Sequence, residues 1–256
     1  MSSEKIHPYV GKYLRKEVMP HGMCPGCGNM SIANAFIRAV DKVYGSFENF
    51  VFVSGIGCAA WIPSPHFLAD TVHVLHGRPI PTATGIKLAN PELNVVVISG
   101  DGDLAAIGGN HLIHAARRNM DLLVILVNNF NYGMTGGQVG PTTPLEAKTK
   151  TSPYGNLEAP FNLVYLAASV GAVYVARWTA IHVEQLKNSI KKALLKKGFS
   201  FIEVISICPE QFGRANRLGS SIEMLKYLRK TSIIKSNVKP SEATLDFNKE
   251  IVCGEH

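Results

Sequence analysis

The sequence predicts an α/β fold, a doubly wound and mainly parallel sheet with helices on both faces, and two observations predict it. Short runs such as Asn94–Ser99 and Leu122–Val127 are continuously apolar and rich in β-branched residues, which is typical of strands that are covered on both faces. Helical stretches separate these runs. A strand–helix alternation at this spacing favours parallel strands that are joined by right-handed crossovers.

The predicted elements follow one another regularly. Five strands are predicted, at Phe50–Ser54, Asn94–Ser99, Leu122–Val127, Ala172–Ala176 and Phe201–Ile207. Four helices are predicted around them, at Ser31–Val43, Leu104–Asn119, Phe161–Val170 and Ile181–Lys197, the last of which stops at Gly198. Few apolar anchors follow about Lys235, so we expect one domain over residues 1–234 and a tail, or an arm over a partner subunit, over residues 235–256.

The composition is that of a globular protein. Hydrophobic residues make up 46% and charged residues 18% of the 256 residues, which excludes a disordered or collagen-like chain. No run of about 18 apolar residues could span a membrane. Charged residues interrupt Met1–Met19 where a signal peptide needs an apolar stretch. We therefore expect a cytoplasmic protein with no membrane partner.

Basic residues are concentrated in one part of the chain. The formal net charge is +7, but the stretch from Lys187 to Lys239 alone carries 12 basic and 3 acidic residues. Such an excess is usual on a solvated helix face, and it can also attract an acidic partner. We do not expect nucleic acid as the partner, because no stacking aromatic residues alternate with the basic ones and no nucleic-acid motif is present.

Glycines and oxygen-bearing side chains follow the predicted strands. Twelve of the 23 glycines fall between Gly55 and Gly140. Gly100-Asp101-Gly102-Asp103 follows the second strand, and Asn128-Asn129 ends the third, one crossover later. Asp101 and Asn129 are therefore expected at the same carboxyl edge, with the carbonyl of Asn131 nearby, as hard ligands for Mg²⁺ and a bound diphosphate. Ordinary turn chemistry is the alternative for each motif taken alone.

The five cysteines are Cys24, Cys27, Cys58, Cys208 and Cys253. An odd number in a chain without a signal peptide does not indicate a disulfide framework. The Cys24-Pro25-Gly26-Cys27 pair is a candidate for metal, cluster or redox chemistry, and inert buried thiols are the alternative.

Taken together, these motifs resemble a known family. The Gly-Asp-Gly and Asn-Asn pair is similar to the thiamine diphosphate fingerprint. Cys24–Gly28, Gly55–Cys58, His76–Arg78 and Thr135–Gln138 resemble the β subunit of 2-oxoacid:ferredoxin oxidoreductases. The likeness extends from about Met19 to Gly213, and it is greatest to the 2-oxoglutarate branch. It implies a sheet of the thiamine-diphosphate-binding (diphosphate-domain) type.

The resemblance also implies roles for individual residues. Asp101, Asn129 and the carbonyl of Asn131 match magnesium ligands. Cys24, Cys27, Cys58 and Cys208 match the ligands of a [4Fe–4S] cluster, whereas Cys253 matches nothing. The segments that match the thiamine diphosphate contacts are Ile56, Gly57, Cys58, Ala59, His76, Gly77, Arg78, Pro79, Gly102, Asp103, Gly133 and Met134. His76 and Arg78 are also candidates for catalytic roles. The glutamate that activates the cofactor is expected on a partner subunit.

The implied activity is the oxidative decarboxylation of 2-oxoglutarate with coenzyme A, which gives succinyl-CoA and CO₂ and passes electrons through the cluster to ferredoxin. The implied partners are an α subunit, with further small subunits possible, and ferredoxin. Three alternatives stay open: an enzyme for pyruvate or a branched 2-oxoacid, a subunit of a non-redox thiamine lyase, and a binding module stabilised by zinc. Four thiolates alone would also suit structural zinc.

Overall fold

Eight strands form one sheet in the computed structural model, which describes residues 7–256. In chain order they are β1 (Phe50–Ser54), β2 (Asp70–His73), β3 (Asn94–Gly100), β4 (Leu123–Asn128), β5 (Tyr174–Thr179), β6 (Ser200–Ile205), β7 (Ser232–Ile234) and β8 (Ile251–Glu255). Their order across the sheet is β2-β1-β3-β4-β6-β5-β8-β7. Only the pairing of β5 with β8 is antiparallel among these strands. The predicted α/β class with a mainly parallel sheet is confirmed.

Six α-helices cover the two faces of the sheet. They are α1 (Asn29–Val43), α2 (Pro79–Ala89), α3 (Gly109–Arg117), α4 (Leu163–Ser169), α5 (Val183–Leu195) and α6 (Ser221–Thr231). Apolar side chains of α1, α5 and α6 pack in one core, and those of α2, α3 and α4 pack in a second core across the sheet. Successive residues of β1 alternate between them, with Phe52 in the first core and Val53 in the second. This double coverage explains the continuously apolar strands.

The long helix that was predicted over Leu104–Asn119 is divided in two. Gly102–Ile107 forms a π-helical turn, and α3 begins at Gly109 after a break at Gly108. The strand predicted at Ala172–Ala176 begins two residues later, because the amide of Ala172 still caps α4 by donating to the carbonyl of Ala167 (3.0 Å).

Sequence patterns did not reveal β2 and α2. Strand β2 lies at the edge of the sheet and its residues are partly exposed, so it has no continuous apolar run. Helix α2 begins with Pro79-Ile80-Pro81 and contains small residues with little amphipathic separation. Pro is well suited to the first turn of a helix, where its missing N–H is not needed.

The C-terminal segment has more apolar anchors than expected. Ile251, Val252 and Cys253 of β8 are buried, and β8 pairs with β5 on one side and β7 on the other. The expectation of few anchors after about Lys235 is therefore corrected. The division into a domain over residues 1–234 and a tail or arm over residues 235–256 stays a prediction, and residues 1–6 of that range lie outside the described residues.

The strand order brings several distant segments together. Strands β1, β3, β4 and β6 are adjacent and parallel, so the residues that follow them leave the sheet at the same edge. These residues are Gly55–Cys58, Asp101–Asp103, Asn129–Asn131 and Ser206–Cys208. Within residues 7–256, no helix has the length and apolar character needed to cross a membrane.

Candidate functional site

A cavity of about 250 Å³ lies at the carboxyl edge of the sheet. It brings together most of the residues that were predicted to hold the cofactor and magnesium. Its lining consists of Ile56, Gly57, Cys58, Ala59, His76, Gly100, Asp101, Gly102, Asp103, Asn129, Asn131, Tyr132, Gly133, Met134 and Thr135. Segments that are up to 79 positions apart in the sequence therefore form one site, as the crossover spacing predicted.

Asp103 organises the walls of this cavity. Its Oδ1 accepts a hydrogen bond from the amide of Gly77 (2.7 Å) and a longer one from the amide of Ile56 (3.4 Å). Its Oδ2 accepts from the hydroxyl of Ser99 (2.6 Å). His76 Nδ1 lies 2.8 Å from Asp103 Oδ1, without the angle of a hydrogen bond, and forms an ion pair only if the imidazole is protonated. Asp103 thus joins the loops that carry Ile56 and Gly77 to the end of β3.

Close packing requires glycine beside Asp103. A Cβ atom on Gly55 would lie 2.2 Å from Asp103 Oδ2, which is too close for any side chain. Any larger residue at position 55 would push the carboxylate away from Ser99 and Gly77. Gly55 therefore has a role in the site although it does not line the cavity.

Asp101, Asn129 and Asn131 all line the cavity, as predicted for magnesium ligands. Burial raises the pKa of the Asp101 carboxyl to about 7, although Oδ2 accepts a hydrogen bond from the Thr142 hydroxyl. The side-chain amide of Asn131 is buried, and neither its oxygen nor its nitrogen has a hydrogen-bond partner in the described part of the chain. Unpaired polar atoms are costly inside a protein, so this set fits a bound cation or a polar ligand.

The adjacent Asn128 has a different role from Asn129. Its side-chain nitrogen donates to Glu203 Oε1 (2.8 Å), and its oxygen accepts from the amide of Phe130 (3.1 Å). It faces away from the cavity. Of the predicted Asn pair, only Asn129 lines the site.

The cavity is acidic. Its charged side chains are those of Asp101 and Asp103, and no Lys or Arg is found among the described residues that line it. A diphosphate would be repelled by two carboxylates unless a cation lay between them. The expected donor set of one carboxylate, one amide side chain and one main-chain carbonyl has the hard oxygen atoms that Mg²⁺ prefers. The residues therefore fit a diphosphate that is held through a divalent cation.

Three predicted cofactor contacts do not line the cavity. The amide of Gly77 supports Asp103 from behind, and Pro79 is buried at the start of α2. Arg78 is exposed, and its guanidinium nitrogen lies 3.0 Å from His111 Nε2. A role of Gly77, Arg78 or Pro79 in cofactor binding, and a catalytic role of His76 or Arg78, stay predictions.

A second cavity, of about 240 Å³, contains the four predicted cluster cysteines. Cys24, Cys27, Cys58 and Cys208 line it together with apolar side chains that include Met23, Trp61 and Ile207. Burial first, and then the charges of other cysteines in the set, raise the pKa values of Cys27 and Cys58 to about 11. Without a metal these two cysteines are therefore neutral thiols, and a metal or a cluster that bound them would have to stabilise their thiolate form.

The spacing of these cysteines does not fit a single ion. In residues 7–256, no group of three or more His, Cys, Asp or Glu side chains is close enough to hold one metal ion. A single zinc ion bonds each thiolate at about 2.3 Å and so draws four sulfurs tightly together, whereas an iron–sulfur cluster is itself large and holds its ligands farther apart. The ligand types alone suit either an iron–sulfur cluster or zinc.

The two cavities adjoin one another. Cys58, Asn129 and Met134 line both of them. Gly133 lies at the junction, where a Cβ atom would be 3.4 Å from both Asn129 Nδ2 and Cys208 Sγ. A group in the cysteine cavity would therefore lie next to a ligand in the acidic cavity, separated from it by the residues that line both cavities.

Some site residues were not recognised in the sequence. Tyr132 and Thr135 line the acidic cavity, and both lie inside or next to motifs that matched the family. Thr142 donates to Asp101 and Ser99 donates to Asp103, but neither residue has a sequence signal. Thr142 lies 41 positions after Asp101, in an irregular loop.

Cys253 is buried in β8, and burial raises its pKa to about 12. It lines neither cavity, as expected for a residue without a match.

Comparison with known proteins identifies relatives over nearly the whole chain. Residues 55–204 match the family described as thiamine pyrophosphate enzyme, C-terminal TPP binding domain, and thiamine pyrophosphate is another name for thiamine diphosphate. The chain is 55% identical over 229 residues to 2-oxoglutarate synthase subunit KorB of Methanothermobacter marburgensis, covering 90% of this chain and 80% of the relative. It is 48% identical over 189 residues to the 2-oxoacid:ferredoxin oxidoreductase subunit beta of Saccharolobus solfataricus, covering 73% and 61%.

A solved structure has the same fold. A chain of the 2-oxoglutarate:ferredoxin oxidoreductase from Magnetococcus marinus, with 2-oxoglutarate, coenzyme A and succinyl-CoA bound, superposes with a TM-score of 0.83 at 31% sequence identity. The match covers 98% of this chain and 84% of that one. The expected family and the diphosphate-domain type of fold are both confirmed. The chain belongs to the family of thiamine-diphosphate-binding β subunits of the 2-oxoacid:ferredoxin oxidoreductases.

Proposed function

We propose that this chain is the β subunit of a 2-oxoglutarate:ferredoxin oxidoreductase, which with an α subunit converts 2-oxoglutarate and coenzyme A to succinyl-CoA and CO₂ and reduces ferredoxin. The observation that carries the proposal is the junction of the two cavities at Gly133, where Asn129 and Cys208 adjoin. A thiamine enzyme that does not transfer electrons has no need for four cysteines beside its cofactor.

The first part of the proposal is a Mg²⁺–thiamine diphosphate site in the acidic cavity. Asp101 and Asn129 would hold the cation through side-chain oxygens, and Asn131 through its carbonyl, as the family resemblance implies. The glycine-rich walls, fixed by Asp103, let backbone amides approach the diphosphate. Bound there, the cofactor supplies an electron sink for the decarboxylation of a 2-oxoacid.

The second part is a [4Fe–4S] cluster in the cysteine cavity. Cys24, Cys27, Cys58 and Cys208 would be its ligands. The apolar side chains around them, including Trp61 and Ile207, limit the access of water and so influence the reduction potential. The cluster supplies one-electron transfer. Cys58 and Met134, which line both cavities, form the boundary that electrons would cross.

The preference for 2-oxoglutarate is supported by relatives and not by a contact in this chain. No Lys or Arg is found in the described lining of the acidic cavity for the distal carboxylate of 2-oxoglutarate, and His76 lies against Asp103. We therefore expect the partner subunit to provide that contact. One relative, 48% identical, is named a 2-oxoacid:ferredoxin oxidoreductase without a specific 2-oxoacid. Pyruvate and branched 2-oxoacids are therefore the substrates to compare with 2-oxoglutarate.

Two measurements test the proposal. Iron and acid-labile sulfide should be present in anaerobically purified protein at about four of each per chain, the composition of one [4Fe–4S] cluster. Stoichiometric zinc with less than two irons would contradict the redox function. Values of kcat/KM should then be compared for 2-oxoglutarate, pyruvate and 2-oxoisovalerate on the α–β complex. We expect 2-oxoglutarate to be preferred, and a wide margin for pyruvate would reassign the substrate.

A further inference from the structure

The basic residues of the stretch from Lys187 to Lys239 form two separate surfaces. Lys196 and Lys197 precede β6, in a groove at the amino edge of the sheet. Cys208 follows β6 at the carboxyl edge. Six strand residues at roughly 3.3 Å each put about 20 Å between these two edges. Lys196 and Lys197 therefore lie far from the cysteine cavity, whereas the basic residues that follow Cys208 begin at its edge.

Helix α6 lies directly against the loop that carries two of the cluster cysteines. The hydroxyl of Ser221, its first residue, donates to the carbonyl of Pro25 (3.4 Å). A Cβ atom on Gly26 would lie 2.1 Å from the same hydroxyl oxygen, so the loop can approach the helix only because position 26 is glycine. Cys24, Pro25 and Gly26 are all exposed. The cysteine cavity therefore reaches the protein surface beside the first turn of α6.

The exposed side of α6 begins at this contact. An α-helix turns by about 100° per residue. Viewed along the helix axis, four exposed side chains lie within about 140° of Ser221 on one side. In order of increasing angle they are Leu225, Arg229, Ile222 and Lys226. The buried side chains Met224, Leu228 and Thr231 lie on the other side of Ser221. We name the set Ile222, Leu225, Lys226 and Arg229 the α6 face.

The α6 face combines apolar and basic side chains. Ile222 is 64% exposed and Leu225 is 37% exposed. Lys226 and Arg229 are exposed and form no ion pair with any described residue. Exposed apolar side chains that alternate with unpaired charges of one sign are typical of a surface that binds a partner of opposite charge.

The acidic groups nearby do not neutralise this surface. Glu223 lies farther around the helix from Ser221 than the α6 face does. Its Oε2 accepts a hydrogen bond from the amide of Ser220 (2.6 Å) in a capping box. Glu210 pairs with Arg214 (2.7 Å), which leaves Arg217 as a further exposed basic residue after Cys208. The surface next to Cys24 therefore keeps an excess of positive charge.

We propose that the α6 face is the docking surface for a small acidic iron–sulfur electron carrier. The inference rests on the proposed function, because the carrier takes its electrons from the cluster in the cysteine cavity. Oxidation of one 2-oxoacid releases two electrons. Each would pass singly through the cluster, so that two carrier molecules dock in turn and each is reduced by one electron. Attraction between the basic side chains of the α6 face and the acidic carrier raises the rate of encounter and orients the carrier beside Cys24.

The test uses the α–β complex and two double variants with the same change in net charge. Lys226→Glu with Arg229→Glu reverses the charge of the α6 face. Lys196→Glu with Lys197→Glu makes the same change at the amino edge. The rate of 2-oxoglutarate oxidation is measured with ferredoxin across a salt series, and with methyl viologen, a small dye that needs no docking surface.

We expect the α6 variant to raise the KM for ferredoxin about tenfold and to weaken its dependence on salt. The rate with methyl viologen should stay within twofold, and the amino-edge variant should retain the KM of the wild type. An equal rise in both variants would mean that net charge alone attracts the carrier, and no rise in the α6 variant would mean that the carrier docks elsewhere. Either result overturns the docking surface while iron content and dye reduction remain. If the wild-type complex contained no iron and did not reduce methyl viologen, the proposed function would be refuted, and the docking surface with it.

Discussion

At the scale of single residues, the two aspartates of the Gly-Asp-Gly motif differ in what surrounds them. The carboxylate of Asp103 accepts short hydrogen bonds from the amide of Gly77 and the hydroxyl of Ser99, so its position is fixed and its role is structural. Asp101 accepts hydrogen bonds from the Thr142 hydroxyl and from the backbone amides of its own turn, but burial outweighs them and raises the pKa of its carboxyl to about 7. Asp101 is therefore the carboxylate that gains most from a cation.

Replacing Asp101 by Asn should weaken binding of the metal and cofactor. The substitution removes the negative charge with almost no change in volume, and we expect the affinity for thiamine diphosphate in the presence of Mg²⁺ to fall by about tenfold or more. Calorimetric titration measures it. Asp70→Asn, at an exposed position of the edge strand β2, is the control for loss of one charge. Wild-type affinity in the Asp101 variant would place the metal elsewhere.

The cysteines allow a similar paired test. Cys58→Ser should remove or destabilise the cluster, because serine is a poor ligand for iron although it is nearly the same size as cysteine. Iron content and visible absorbance measure the loss. Cys253→Ser should retain all the iron, because Cys253 lines neither cavity. It should also cost about 1–3 kcal/mol of stability, since it places a hydroxyl in an apolar site. Full iron in the Cys58 variant would exclude Cys58 as a ligand.

At the scale of elements, a buried ion pair joins the sheet to the C-terminal segment. Arg177 on β5 and Glu203 on β6 are both fully buried, with Nε and Oε2 at 2.6 Å. Arg177 also donates to the carbonyl of Ala243 (2.8 Å) and to Asn162 Oδ1 at the start of α4 (2.8 Å). Glu203 in turn accepts from Asn128, next to Asn129. The network fixes the end of β4 from behind the acidic cavity.

Removing one partner of this ion pair should destabilise the fold strongly. Arg177→Met leaves the carboxylate of Glu203 buried without a counter-charge, so we expect a loss of about 3–5 kcal/mol in the free energy of unfolding. Denaturant unfolding measures it. Lys192→Met removes an exposed ion pair with Glu255 and should cost less than about 1 kcal/mol. Adding Glu203→Leu to the Arg177 variant should restore part of the stability; two additive losses would show that the two residues are not coupled.

The elements also show what the sequence could predict. Strands β1, β3, β4 and β6 are buried on both faces, so their continuous apolar runs identified them, and their order explains why the motifs meet. The edge strand β2 has no such run. Strand β8 includes Cys253-Gly254 and is stabilised by pairing with β5, a contact between positions far apart in the sequence. Local patterns carry no information about such pairing.

The same reasoning separates the predictable from the unpredictable parts of the site. Asp101, Asn129 and the four cysteines carry chemistry that is rare outside functional sites, so their spacing and the family resemblance were informative. Arg78 matched a cofactor contact in the sequence, but in this chain it contacts His111 and does not line the acidic cavity. The direction of the Arg78 side chain depends on how α3 packs beside it, and a sequence motif contains no information about that packing.

At the scale of the whole molecule, the acidic cavity is an incomplete site. Its volume of about 250 Å³ is below the roughly 300–1,000 Å³ of pockets that enclose an entire ligand. Ile56 and Met134 line it and are 40% and 45% exposed. Apolar side chains at the mouth of a polar cavity are typical of a surface that a permanent partner covers. The proposed α subunit would therefore close the site.

The carboxylates of the chain lead to the same conclusion. The family resemblance implies that a glutamate activates the cofactor. Asp101 and Asp103 are the acidic residues in the described lining of the cavity; the first is assigned to the metal and the second is held by Ser99 and Gly77. Glu203 is buried, but it is bonded to Arg177 and Asn128 and does not line the cavity. None of these carboxylates is free to act on the cofactor.

We therefore expect the isolated chain, loaded with its cluster, thiamine diphosphate and Mg²⁺, to show no turnover of 2-oxoglutarate with coenzyme A and methyl viologen. Addition of the purified α subunit should restore activity, because it would bring both the missing carboxylate and the wall that excludes water from the cavity. Thiamine diphosphate should bind the chain alone more weakly than it binds the complex, which calorimetry can compare. Since methyl viologen needs no docking surface, inactivity of the chain cannot arise from loss of the ferredoxin site. Turnover by the single chain at the rate of the complex would show that one of its own carboxylates activates the cofactor.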